Sequence, residues 1–131
     1  MRLLVTGGAG FIGSHLVKAL LNDDRVTAVK VLDNLETGSM KNLAGIKNDS
    51  RLEFIEGDIR HYTTCLAAAK DTHIIIHQAA LGSVPRSVAD PLTTHEVNAT
   101  GTLNVFNAAR ENKVHRVVYA SSSSVYGDHP L

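Results

Sequence analysis

Val5-Thr6-Gly7-Gly8-Ala9-Gly10-Phe11-Ile12-Gly13 decides the fold of this chain because of what flanks it. An apolar strand, Leu3-Leu4-Val5, leads in, and a helix leads out whose apolar positions Phe11, Ile12, Leu16, Ala19 and Leu20 recur at near-helical spacing. A strand, a tight turn and a helix N-terminus with glycines at Gly7, Gly10 and Gly13 let backbone approach a diphosphate closely. Exposed N–H groups and the helix dipole would then hold its charge. A glycine-rich turn also serves any strand-to-helix corner, so the residues downstream must choose between the two.

Strand and helix signals alternate from end to end, with no repeat, linker or low-complexity tract. The pattern predicts strands over Arg2 to Thr6, Val26 to Leu32, Leu52 to Glu56, Ile74 to His77 and Val114 to Ala120. Helices are expected over Phe11 to Leu21, Met40 to Leu43 and Thr63 to Ala69, with a long one from Leu92 to Asn112. In that last helix Val97, Leu103, Phe106 and Ala109 fall on or near one face, and Gly101 permits close packing. Right-handed crossovers then give an α/β, Rossmann-type doubly wound parallel sheet of strand order 3-2-1-4-5. Its ligand crevice lies at the carboxyl ends of strands 1 and 4.

The 131 residues, 44% hydrophobic and 20% charged, make one globular domain over residues 1–131. Thirteen basic side chains balance thirteen acidic ones, so no global field draws the chain to nucleic acid or to a membrane surface. Cys65 is the only cysteine and reads as a small buried or half-buried residue. The seven histidines show no metal-ligand spacing, and no metal is expected. Without a signal peptide or a run approaching ~18 apolar residues, the chain reads as soluble and cytoplasmic.

The candidate chemistry falls at the predicted strand ends. Asp33, twenty residues after Gly13, can accept both hydroxyls of an adenosine ribose and repel a 2′-phosphate, and no arginine follows at once, which favours NAD over NADP. An aspartate is also an ordinary turn residue. Gly57-Asp58-Ile59-Arg60 would face an adenine, with Asp58 accepting from its amine and Ile59 covering the ring, although both residues equally suit a helix cap or a core. Small side chains in His77-Gln78-Ala79-Ala80 leave room for a cofactor, while His77 itself reads as structural. Tyr119 to Asp128 carries a serine cluster whose hydroxyls could bind a substrate oxygen or simply cap a turn, and Tyr126 is expected to pack the turn beside Gly127.

These motifs, with Asn98-Ala99-Thr100-Gly101-Thr102, resemble in order and spacing the extended short-chain dehydrogenase/reductases, within them the NAD-dependent sugar-nucleotide epimerases and dehydratases. The resemblance implies that Gly7, Gly10, Phe11, Ile12, Gly13, Asp33, Asn34, Asp58, Ile59, Ala79, Ala80 and Asn98 line NAD. It implies a proton relay assisted by Ser122 with Ser123 beside it. Family dehydratases carry an acidic pair after the Ser122 position, where this chain has Ser123 and Ser124. That favours 4-epimerisation of a UDP-sugar, glucose/galactose or the N-acetyl forms, and Ala80 to Ser87 resembles the UDP-N-acetylglucosamine branch. Another dehydratase or decarboxylase of the family, or a catalytically silent NAD-binding module, stays open.

The family's base, a tyrosine followed four residues later by a lysine, is expected beyond Leu131. The chain accordingly reads as an amino-terminal part, ending before a sixth strand and the substrate domain, inactive alone and prone to self-association, as a homodimer or otherwise, through an uncovered fifth strand or the apolar face of the Leu92 to Asn112 helix.

Overall fold

A computed structural model describes residues 1–127, so Asp128 of the serine-bearing segment lies outside the described residues. Five parallel strands, β1 (Arg2–Thr6), β2 (Ala28–Asp33), β3 (Leu52–Glu56), β4 (Ile74–His77) and β5 (Arg116–Tyr119), pair in the order β3-β2-β1-β4-β5. Val5 sits opposite Val31 on one side and Ile76 on the other, so the expected topology is present in register.

The central strands are mostly apolar because both faces are covered. Leu3, Val5, Val29 and Val31 face α1 (Phe11–Leu21), packing with Val17 and Leu21. Leu4, Leu32 and Ile75 point the other way, toward Cys65 and Ala68 of α2 (Tyr62–Ala68) and Val105, Ala108 and Ala109 of α5 (Thr102–Glu111). Lys30 interrupts β2 without cost, since its stem runs under α2 and its ammonium donates to Lys70 O at 2.7 Å.

The structure corrects several boundaries. Val26 is still in the turn, its N–H donating to Asp23 O, so β2 starts at Ala28 and runs through Asp33. Val114 closes the end of α5 by donating to Ala109 O, which delays β5 to Arg116. The helix expected over Thr63 to Ala69 lies one residue earlier. In α1 the buried face is Gly13, Ser14, Val17 and Leu21, whereas Phe11 and Ile12 are exposed.

The largest revision concerns the helix expected from Leu92 to Asn112. A separate helix α3 (Val84–Ala89) precedes it, capped by the Ser83 hydroxyl. The long segment itself is α4 (Pro91–His95), a π turn (Glu96–Gly101) and α5. Val97, Gly101, Val105 and Ala108, spaced three or four residues apart, face inward while Leu103 and Phe106 turn out. Gly101 does allow close packing: a Cβ there would lie 2.6 Å from Ile59 Cδ1.

Cys65 is buried, its thiol donating to Ile59 O, and burial pushes that thiol up to about 11. His77 is also structural, buried between Thr6 and Thr102. Burial holds its imidazole at about 4, below the ~6.5 of an unfolded chain. The unfolded state therefore binds the extra proton first, and stability is complete above about pH 6.5 and lost as pH falls toward 4. Urea unfolding of the wild type should lose on the order of 3 kcal/mol across that window. A His77→Gln variant should lose that component of the slope, and an unchanged slope would place the titrating group elsewhere.

Candidate functional site

The chain leaves β1 through a turn that only glycine can make. Gly7 has φ of 69°, and a Cβ on it would lie 2.7 Å from Ala79 N. Its N–H donates to Leu32 O, so the turn spans the exits of β1, β2 and β4. Helix α1 starts at once, with Gly10 as its N-cap, no side-chain cap and no acidic residue in the first turn. Its first N–H groups are the free donors of an anion site.

Around this helix end opens a cleft of about 300 Å³. Gly7, Gly10, Phe11, Ile12 and Gly13 line one wall, Asp33 and Asn34 the β2 exit, Asp58 and Ile59 the β3 exit, and Ala79 and Ala80 the β4 exit. The four strand ends thus bring eleven of the sequence candidates to one place. Leu32, Glu36, Thr37, Gly57, Gln78, Leu81 and Val97 also line it and were not singled out as site residues. Gly57 and Gln78 stood inside quoted motifs, but the apolar Leu32 and Val97 are indistinguishable from core in sequence.

Asp33 is 8% exposed, and its two oxygens accept Ala9 N at 2.9 Å and Leu35 N at 2.8 Å. It therefore fastens the glycine turn to β2 while each oxygen keeps a second lone pair for a ligand hydroxyl. Asp58 is more committed. Arg60 donates to it from its backbone N, Nε and Nη2, and Asn34 Nδ2 adds a fourth bond at 2.9 Å. The Arg60 guanidinium, against a smaller opposing effect of burial, holds this carboxyl far below the usual range. As packed, Asp58 shapes the wall with its hydrogen-bonding capacity already used. Ile59 is both wall and core, 5% exposed, and Asn104 Nδ2 fixes the turn by donating to the carbonyls of Ile59 and Arg60.

Three candidates stand outside the cleft lining. Asn98, on the π turn, is behind the wall, accepting Leu81 N at 2.8 Å and donating to Leu81 O at 2.9 Å. Ser122 and Ser123 lie past β5 in an exposed turn, where Ser122 Oγ accepts from Ser124 N and caps a 3-10 turn (Ser123–Tyr126). Tyr126 does not pack this turn as expected and is 79% exposed, because no element of the described residues covers it.

The charged lining residues are Asp33, Glu36 and Asp58, all acidic. The cleft thus suits an elongated ligand with a diphosphate on the α1 N–H groups and a vicinal diol at Asp33. Among the described residues no three His, Cys, Asp or Glu side chains gather to hold a metal ion, and no helix is long and apolar enough to cross a membrane.

Residues 3–131 match the model of the NAD dependent epimerase/dehydratase family. The chain is 46% identical over 132 residues to UDP-glucose 4-epimerase of Mycolicibacterium smegmatis, covering 99% of this chain and 42% of that enzyme. It superposes on the NAD-bound dTDP-glucose 4,6-dehydratase DesIV of Streptomyces venezuelae with a TM-score of 0.94 at 42% identity, covering all of this chain and 42% of that one. For the UDP-N-acetylglucosamine 4-epimerase of Methanobrevibacter ruminantium the TM-score is 0.90 at 41% identity, covering 98% of this chain and 40% of that one. The chain spans about two fifths of the length of these relatives. Motifs, topology and cleft agree with the match across its whole length: the chain belongs to the NAD dependent epimerase/dehydratase family.

Proposed function

We propose that this chain forms the NAD-binding part of a UDP-sugar 4-epimerase. One observation carries the reading: an uncapped helix N-terminus opens into a cleft whose opposite exit presents a buried carboxylate. Backbone N–H groups of Phe11, Ile12 and Gly13 hold the diphosphate, Gly7 and Gly10 let it approach, and Asp33 takes the adenosine ribose. Ile59, Ala79 and Ala80 give adenine and nicotinamide flat apolar walls, and Asn34 and Asp58 close the β3 side. When bound, the nicotinamide accepts and returns the hydride of the sugar C4.

Ser122, with Ser123 beside it, is placed at the β5 exit to donate to the sugar oxygen and help move its proton. The serine at 123 and at 124, where family dehydratases carry acids, supports epimerisation over dehydration. The stretch Ala80 to Ser87 supports an N-acetylated sugar. Tyr62, Tyr119 and Tyr126 each lack a lysine four residues later, so none of these residues supplies the family's tuned base.

Calorimetry should show NAD binding with NADP weaker by roughly 5–150-fold. A 2′-phosphate beside Asp33 and Glu36 costs about 1–3 kcal/mol at a partly exposed site. Equal affinities would remove the ribose role from Asp33.

The purified 131-residue chain is expected not to interconvert UDP-sugars, since a tuned base typically supplies 10²–10⁴-fold and positioning the sugar supplies more. Robust turnover would refute this and make Tyr126 the first candidate base.

Among the described residues strand β5 pairs with β4 alone, and Val118 and Tyr119 are 48% and 56% exposed on it. Such an edge templates further strand pairing. Light scattering across a dilution series should show self-association that Val118→Lys shifts toward monomer. A monodisperse monomer at high concentration would exclude this edge as a contact.

A further inference from the structure

The buried polar groups behind the cleft form one continuous chain whose direction is set by its ends. Thr102 Oγ1 donates its single proton to Asn98 O at 2.7 Å. Its 2.9 Å contact with His77 Nε2 must therefore be made by a proton on Nε2. A neutral ring then has a bare Nδ1, which accepts from Thr6 Oγ1 at 2.6 Å. The Thr6 oxygen in turn accepts from Ala79 N–H at 3.3 Å. Both hydroxyls use donor and acceptor capacity together, and no other assignment of a neutral ring satisfies all four contacts.

We propose that His77, held in the Nε2–H tautomer, is a positioning residue for the cleft. It links the last residue of β1 to the π turn and so sets the Ala79–Leu81 backbone that forms the β4 wall. One end of the relay holds Ala79 N directly. The other ends on Asn98, whose amide grips both backbone groups of Leu81. Asn98 and Thr102, four residues apart, lie on the same side of the helix, one reaching Leu81 and the other His77. Wall and glycine turn move together because Thr6 immediately precedes Gly7. Burial favours the neutral ring that this pattern requires.

The inference rests on the cleft being the NAD site, and the test separates the two. Thr102→Val keeps the shape, removes the relay hydroxyl and lies outside the cleft lining. It should weaken NAD about threefold to thirtyfold, the scale on which a coupled residue outside a site acts. Thr6→Val should do the same, the double variant should be no weaker than the worse single one, and Thr102→Ser should restore affinity. Nitrogen-15 NMR of the His77 ring should show the Nε2–H tautomer in the unmodified chain and an altered signature in Thr102→Val. A Thr102→Val protein that melts earlier but binds NAD within about twofold of the unmodified chain would overturn the proposal, as would an Nδ1–H ring. Absence of NAD binding by the unmodified chain would instead overturn the cofactor reading.

Discussion

The contact on which the structure depends is the close approach of Gly7 to the backbone leaving β4. Two parallel strands bonded side by side leave their exits less than 5 Å apart, and here the first of them must turn straight into a helix. With Gly7 at positive φ and its Cα against Ala79, no side chain fits between the exits. The turn then aims α1 back across the sheet, leaving its first N–H groups pointing into the crevice between strand ends. Binding capacity is thus a by-product of a packing constraint.

That constraint was visible in the sequence because it depends on residue type. Glycines at 7, 10 and 13 between an apolar strand and an apolar helix admit few geometries, and the β-branched residues Val29, Val31 and Ile74–Ile76 announce a sheet covered on both faces. The strand order followed from handedness. Missing were features set by tertiary contacts. The apolar spacing of α1 does not tell which of its residues are buried: Val17 and Leu21 are, whereas Phe11 and Ile12 line the cleft, as the family resemblance implies.

The π turn was equally illegible. Nothing in Glu96-Val97-Asn98-Ala99-Thr100-Gly101 forbids an ordinary α-helix, and the face assigned to Leu103 and Phe106 misread its period, since six and nine residues from Val97 fall about 240° and 180° round a straight helix. The extra residue in the turn is held by contacts across the molecule: Asn98 to Leu81 and Thr102 to His77. Its position shows why Asn98 looks like a ligand residue by motif and stands behind the wall in space. A motif records that a residue matters to a site without recording whether it touches the ligand.

The charge pattern of the cleft separates affinity from selectivity. A dianionic diphosphate enters a pocket whose charged lining is wholly acidic, so attraction must come from uncompensated backbone dipoles at α1, worth about 0.3–1 kcal/mol when exposed and up to ~2 when partly buried. The three carboxylates are not equivalent obstacles. Arg60 neutralises Asp58, and Asp33 is offset by the N–H groups of Ala9 and Leu35, while Glu36 has the weak Asn34 contact at 3.4 Å and lies within the field of Arg60. Asp58 has its capacity taken by Arg60 and Asn34, whereas each oxygen of Asp33 keeps a lone pair that suits a hydroxyl better than a further phosphate. A chain of zero formal net charge can thus present free backbone donors at the α1 end of a cleft and carboxylates along the rest of it.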